Sequence, residues 1–174
     1  MSCFRQGGRG QPYIKFPHFA LGIRPEHPVA AITIPNGVAG GFRTRLKELG
    51  LDRFLGLAQE IKNNLTPVLT RSKNSKAIIY ASQRHYRSQP ITDGRVEADM
   101  RTCYSPGESD VKYQPEWIEA LYQVMVNKKS NIQFGIEVQF DYKCPVVQSP
   151  GAVDLFADSW KAAKPLLDFI LAER

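Results

Sequence analysis

The chain has 174 residues, 43% of them hydrophobic and 23% charged, which is the composition of one folded domain and excludes a disordered chain. Its formal net charge is +6, but residues 1–90 carry 14 Lys and Arg against 4 Asp and Glu, whereas residues 91–174 carry 9 against 13. A basic front half and an acidic back half predict a protein with two different faces, one of them suited to a polyanion.

No apolar run approaches the roughly 18 residues that a membrane helix needs, and no apolar stretch follows the basic N-terminus, so we expect neither a membrane span nor a secretory signal. The three cysteines, Cys3, Cys103 and Cys144, are odd in number and far apart, which favours a reducing, cytoplasmic compartment. No two cysteines or histidines have the close spacing of a structural zinc site. We therefore expect no metal and no cofactor.

Residues 1–28 are rich in Gly, Pro and aromatic residues, and their prolines forbid a helix of any length. We predict an extended basic arm over residues 1–28 and a single domain over residues 29–174. The β-branched run at residues 29–34 predicts a buried strand.

Two helices and a second strand are predicted next. Residues 42–49 form a short amphipathic pattern that Gly50 closes. Asp52 is the expected N-cap of a longer helix, in which apolar residues recur at spacings of three and four until Pro67 ends it. Residues 77–81 predict the second strand.

The back half predicts further strands and helices. Residues 95–104 are consistent with an edge strand, and Pro115 begins a helix to about residue 127 with Trp117 on its inner side. Residues 132–142 alternate apolar and polar, which predicts an antiparallel strand with one wet face. A C-terminal helix follows, and Pro165 is expected to kink or restart it.

These elements together predict an α+β fold. It is a single domain on a mostly antiparallel sheet, with two or three packed helices and an extended N-terminal arm.

The stretch from residue 71 to residue 87 is basic and interleaved with aromatic residues, and the Gly- and Arg-rich N-terminus has the same character. Cations that displace counterions from phosphates, and aromatic faces that receive unstacked bases, are typical of single-strand nucleic-acid binding. A solvated hairpin with charged ends is the competing interpretation. The predicted phosphate contacts are Arg71, Lys73, Lys76, Arg84 and Arg87, with Arg43, Arg45, Arg5 and Arg9 as secondary contacts, and the candidate stacking platforms are Tyr80 and Tyr86.

A glycine-rich loop precedes the first helix and offers a second candidate anion site. Gly37, Gly40 and Gly41 lead into a helix whose first turns carry Arg43 and Arg45, and free N–H groups at a helix start attract anions. The spacing matches neither the P-loop nor the dinucleotide fingerprint. A turn that needs positive φ before a helix is the simpler and favoured interpretation of these glycines.

Two catalytic alternatives remain open. Glu137, Asp141 and Lys143 fall on one face of the predicted strand, and with Glu97 and Asp99, or Asp110, they form a candidate set for a Mg²⁺-dependent nuclease. Solvent exposure alone predicts the same pattern. Cys103 or Cys144 with His85 is a candidate nucleophilic pair, for which a buried apolar role is the simpler interpretation.

The sequence therefore predicts a non-catalytic nucleic-acid-binding protein, directed at single strands or at the backbone, with DNA and RNA both open. No helix-turn-helix or zinc-finger pattern is present. The runner-up is a structural or assembly subunit of a viral, phage or ribonucleoprotein particle, and the nuclease is third. Self-association through the acidic C-terminal half, giving a homo-oligomer, is a further hypothesis.

Overall fold

The computed structural model describes residues 17–34, 41–83, 94–100, 115–128 and 132–171. The elements in chain order are β1 (His18–Ile23), β2 (Pro28–Ile34), α1 (Gly41–Arg71), β3 (Lys76–Gln83), β4 (Arg95–Asp99), α2 (Pro115–Asn127), β5 (Ile132–Gln139) and α3 (Ala152–Leu171). None of the helices within these ranges has the length and apolar character needed to cross a membrane.

The five strands form one sheet in the order β1-β2-β5-β3-β4, and each neighbouring pair is antiparallel. Because β2 and β3 both run opposite to β5, α1 connects two parallel strands with β5 between them. In the same way α2 connects β4 to β5 with β3 between them. The predicted single α+β domain with an antiparallel sheet is confirmed. Among the described strands β4 is at the edge, as expected, but it covers residues 95–99 of the predicted 95–104, and residues 101–104 lie outside the described ranges.

All three helices pack on one face of the sheet. Alternate residues of the inner strands point at the helices and join the core, among them Ile32, Ile79 and Phe134. On the helices the core side chains include Leu46 and Phe54 of α1, which are at most 1% exposed. Burial of this continuous apolar layer is the main stabilising contribution to the fold.

The helix α1 is bent where the sequence predicted a break and continues where it predicted an end. Gly50 has φ 77° and ψ 174°, so the chain leaves helical geometry there for one residue. Pro67, in contrast, lies inside the helix, which runs on to Arg71. Pro67 is exposed, whereas Leu65 and Val68 on either side of it are buried. Packing of these neighbours outweighs the backbone hydrogen bond that proline removes.

Other differences from the sequence predictions arise from tertiary contacts. Residues 18–23, predicted as part of the arm, form β1 through antiparallel pairing with β2. The strand predicted at residues 132–142 ends at Gln139, and α3 continues through Pro165. Trp117 is 50% exposed, so the prediction of an inward side chain was wrong. The predicted arm over residues 1–16 lies outside the described residues.

Candidate functional site

The face of the sheet opposite the three helices, called the outer face here, is the most polar surface that the strands create. Strand register sets its side chains in rows, one of which runs from Glu97 through Tyr80 and Gly135 to Thr33. The next row runs from Asp99 through Ile78 and Glu137 to Ala31. Polar and aromatic groups from separate strands thus meet at the centre of the sheet.

Glu137 on β5 accepts hydrogen bonds from three other side chains. It is only 2% exposed, because the side chains of Arg24, Arg95 and Gln139 lie against it, so the predicted wet face of β5 was wrong here. Arg24 donates from Nη2 to Oε2 at 3.1 Å and from Nη1 to Oε1 at 3.5 Å. Arg95 donates from Nη2 to Oε1 at 3.3 Å, and Gln139 donates to the same oxygen at 2.6 Å. A buried carboxylate thereby fixes two guanidinium groups on the surface of the sheet.

Tyr80 lies under one of these guanidinium groups. The Cζ atom of Arg95 stands 4.2 Å from the centroid of the Tyr80 ring, and the Tyr80 hydroxyl accepts a hydrogen bond of 3.1 Å from Gln133 Nε2. Tyr80 is 3% exposed. A base needs an open ring face on which to stack, and Tyr80 presents none in this structure.

Gly135 makes this arrangement sterically possible. A Cβ atom at position 135 would lie 2.5 Å from the Ile32 carbonyl oxygen and 2.9 Å from the Tyr80 hydroxyl. Only glycine leaves room for the tyrosine beside it on the sheet.

The predicted basic stretch is divided between the two ends of β3. Lys73 in the turn before β3 and Lys76 at its start are both exposed. Arg71 is also at this end, but its guanidinium forms a 2.6 Å ion pair with Asp158 of α3. At the other end β3 stops at Gln83, whose N–H donates to the Gly94 carbonyl at 2.7 Å. Arg84, Tyr86 and Arg87 follow Gln83 in the chain and lie outside the described residues, as do Arg5 and Arg9.

The secondary contacts Arg43 and Arg45 are engaged inside the fold. Arg43 Nε donates to the Met125 carbonyl at 3.0 Å, near the C-terminus of α2. Arg45 Nη1 donates to the carbonyls of Phe169 and Ile170 at 3.1 Å each, near the C-terminus of α3. A cation near a helix C-terminus is favoured by the helix dipole. The structure therefore shows both arginines binding helix ends.

The net positive charge of the protein is concentrated outside the described residues. The described ranges contain 14 Lys and Arg and 13 Asp and Glu, while the rest of the chain contains 9 and 4. Most of the described arginines form the ion pairs and helix-end hydrogen bonds given above. Most of the excess of Lys and Arg over Asp and Glu is therefore carried by residues outside the described ranges.

The candidate nuclease residues do not converge in the part of the chain that the structure describes. Asp141 follows β5. Its carboxylate accepts a hydrogen bond of 2.9 Å from the Lys143 N–H and one of 3.2 Å from Asn74 Nδ2. These bonds, led by that of the Lys143 N–H, hold the pKa of Asp141 below its usual range. Glu137 is instead bound by arginines, and within the described ranges no three His, Cys, Asp or Glu residues form a potential metal site. Asp110 lies outside these ranges.

The candidate nucleophile Cys144 is buried, with its Sγ 3.8 Å from the Arg71 carbonyl oxygen. This contact fits a small core side chain. Its proposed partner His85, the alternative Cys103, and the glycines Gly37 and Gly40 lie outside the described residues.

Sequence reasoning did not select Arg24, Arg95 or Gln133 as site residues. Arg24 lies 113 residues from Glu137 in the chain and Arg95 lies 42 residues from it. The only local signal was that Glu137 is charged, whereas the other alternate positions of β5 are neutral. This signal did not indicate which residues would bind Glu137.

Comparisons of the chain with protein-family models, with curated proteins and with solved structures return no match.

Proposed function

We propose that this protein binds single-stranded nucleic acid without catalysis, through contacts of its cations with the phosphate backbone along the outer face beside β3. The observation that carries the proposal is the division of the basic stretch between the two ends of β3. Lys73 and Lys76 are exposed at one end, and the chain continues from Gln83 to Arg84 and Arg87 at the other.

The length of β3 suits an extended polyanion. Eight residues at about 3.3 Å each give β3 a length of about 25 Å, which corresponds to several nucleotides of an extended single strand. For comparison, single-strand sites on OB folds cover about 4–16 nucleotides. The strand between them carries no exposed aromatic ring, since Tyr80 is covered, so backbone contact rather than base stacking fits the described surface.

Fluorescence anisotropy with labelled single-stranded DNA and RNA, across a salt series, tests the proposal. We expect binding at low salt, and a steep fall of affinity with salt because counterions are released from the phosphates. The double variant Lys73→Glu with Lys76→Glu should weaken binding and reduce the slope of log K against log salt by about 0.7 for each phosphate that is no longer neutralised.

The matched control is Lys47→Glu with Arg53→Glu, which makes the same change of net charge on exposed positions of α1. We expect this control to retain most of the affinity. Absence of binding at low salt would overturn the proposed function. Equal loss in the two double variants would show that net charge alone, and not this end of β3, attracts the nucleic acid.

A further inference from the structure

The edge strand β1 carries a row of exposed apolar side chains. Phe19, Leu21 and Ile23 lie on the helix side of the sheet and are 48%, 52% and 73% exposed. Among the described strands β1 pairs only with β2, at one end of the sheet order. Natural proteins protect such edges with charged residues, proline or bulges, yet residues 18–23 contain no Lys, Arg, Asp, Glu or Pro. This edge has the properties of an interface.

The apolar row continues onto α3. The Phe19 ring lies 5.6 Å from the Trp160 ring, measured between centroids. Val153, which is 70% exposed, lies two turns earlier on the same side of this helix. Isolated exposed apolar residues are ordinary, but a contiguous strip marks a contact surface.

We propose that β1 pairs antiparallel with β1 of a second copy of this chain, about a two-fold axis at Leu21. The register follows from the strand itself. With Leu21 opposite its own copy, Phe19 lies opposite Ile23 of the second copy, and Ala20 lies opposite Gly22. The large apolar side chains then occupy one face of the joined sheet, and the small residues occupy the other.

A second copy explains why this edge carries apolar side chains and why it contains no charged residue or proline. When β1 pairs antiparallel with its copy, the two apolar rows lie on the same face only if odd-numbered residues are opposite odd-numbered residues. The proposed register meets this condition. An aromatic side chain opposite a β-branched one is a favourable cross-strand pair. The two-fold axis also places Ile23 of each copy beside Phe19 of the other copy, whose ring contacts Trp160, so the apolar contact extends from the strands towards α3.

Sedimentation analysis of the full chain without nucleic acid, over a wide concentration range, measures the pairing. We expect a concentration-dependent dimer. Leu21→Lys places a charge at the centre of the edge and should raise the dimer dissociation constant at least about tenfold, because lysine on an edge opposes pairing. Leu49→Lys is the matched control, since Leu49 is also an exposed leucine, at 37%, and lies on α1.

Site-specific crosslinking then tests the register. In a chain with Cys3 and Cys103 replaced by serine, Leu21→Cys should form a disulfide between copies under mild oxidation, since directly opposite Cβ atoms lie about 5 Å apart. The side chain in Ile23→Cys faces Phe19 of the second copy, and the two residues numbered 23 are about 13 Å apart. This variant should therefore not crosslink.

A monomer at every concentration overturns the proposal, and so does an equal effect of Leu21→Lys and Leu49→Lys. A dimer that crosslinks through position 23 and not through position 21 overturns the register. Circular dichroism and thermal unfolding of each variant establish that it is folded. Because no nucleic acid is present in these measurements, their outcome is independent of the proposed nucleic-acid binding.

Discussion

The guanidinium of Arg95 lies over Tyr80, with its Cζ atom 4.2 Å from the centroid of the ring. Arg95 also donates to Glu97 at 2.6 Å and to Glu137 at 3.3 Å, so one side chain joins the edge strand β4 to β3 and β5. The ring that sequence composition offers as a platform for a base is therefore occupied by a side chain of the protein itself. For the proposed binding of nucleic acid we therefore expect contacts on this face to depend on charge rather than on stacking.

Replacement of Tyr80 separates these two modes of binding. In Tyr80→Leu we expect affinity for single-stranded oligonucleotides to stay within about twofold of the original, since the covered ring does not stack on a base. The free energy of unfolding should fall by about 1–3 kcal/mol because a buried aromatic side chain is shortened. Anisotropy and urea unfolding measure the two quantities.

Tyr80→Phe is the control for that measurement, because it keeps the ring and removes only the hydroxyl that accepts from Gln133. It should cost about 1 kcal/mol of stability. A tenfold or larger loss of affinity in Tyr80→Leu, with full affinity in Tyr80→Phe, would show that the ring opens and stacks.

Glu137 is expected to be the most sensitive polar residue of the outer face. Glu137→Gln leaves two guanidinium groups facing one neutral amide, and we expect the free energy of unfolding to fall by about 1–3 kcal/mol. The effect stays below that of a fully buried ion pair, because Arg24 and Arg95 keep 46% and 37% of their side-chain surface in solvent. Urea unfolding at neutral pH measures it.

Glu97→Gln provides the comparison, since Glu97 pairs with the same Arg95 but is 52% exposed. An exposed pair of this kind contributes less than about 1 kcal/mol. If both variants are destabilised equally, burial of Glu137 has no energetic importance.

Glycine substitutions should have opposite effects at two positions. Gly135→Ala forces a Cβ against the Ile32 carbonyl and the Tyr80 hydroxyl, so we expect a loss of about 1–3 kcal/mol. Gly56→Ala meets no atom within 4 Å inside α1 and should stabilise the protein by about 0.5–1 kcal/mol, because alanine restricts the unfolded chain and favours the helix. Thermal unfolding of both variants distinguishes the signs, and a stabilising Gly135→Ala would contradict the close approach of Tyr80.

Acid titration should reveal the ion pair between α1 and α3. The hydrogen bond from Arg71, with a second from Lys161, holds the pKa of Asp158 below its usual range. A carboxyl with a lowered pKa stabilises the folded state above the usual Asp pKa of about 3.9, and this contribution is lost as the pH falls through the folded value. The free energy of unfolding should therefore decrease below about pH 4, and less so in Asp158→Asn.

Removal of the other partner should have a smaller effect in the same direction. Arg71→Gln removes the first of the two hydrogen bonds that lower the pKa of Asp158 and leaves that of Lys161, so its acid profile should lie between those of the original protein and of Asp158→Asn. The double variant should show no further change in the profile beyond that of Asp158→Asn. Identical acid profiles in the original protein and in both single variants would exclude a role for this pair.

Local patterns predicted most of the regular elements of this fold. Apolar periodicity and the positions of glycine and proline predicted the break at Gly50, the helix from Pro115 and three strands, at residues 29–34, 77–81 and 132–142, the last of which ends at residue 139. Prediction failed where a local preference met a tertiary contact. Pro67 remains within a helix because its neighbours are buried, and residues 18–23 become a strand because β2 supplies a partner.

The candidate site was predictable only in part, since its central interactions join residues that are far apart in the chain. The exposed positions Lys73 and Lys76 were selected from the basic stretch. The contacts of Arg43 and Arg45 depend on the positions of the C-termini of α2 and α3, and the ion pair of Arg71 depends on the packing of α3 against α1. A sequence shows the charge of an arginine. It does not show which carbonyl or carboxylate lies within reach of that arginine.

The sequence by itself determined an α+β domain, its principal strands and helices, and an excess of positive charge in the first 90 residues, because periodicity and composition are properties of the local chain. Only the tertiary structure decided that Tyr80 is covered, that Glu137 is buried between two arginines, and that Phe19, Leu21 and Ile23 stand exposed at an edge. These facts depend on strand order and register, which bring distant residues together and which no short segment of the chain encodes.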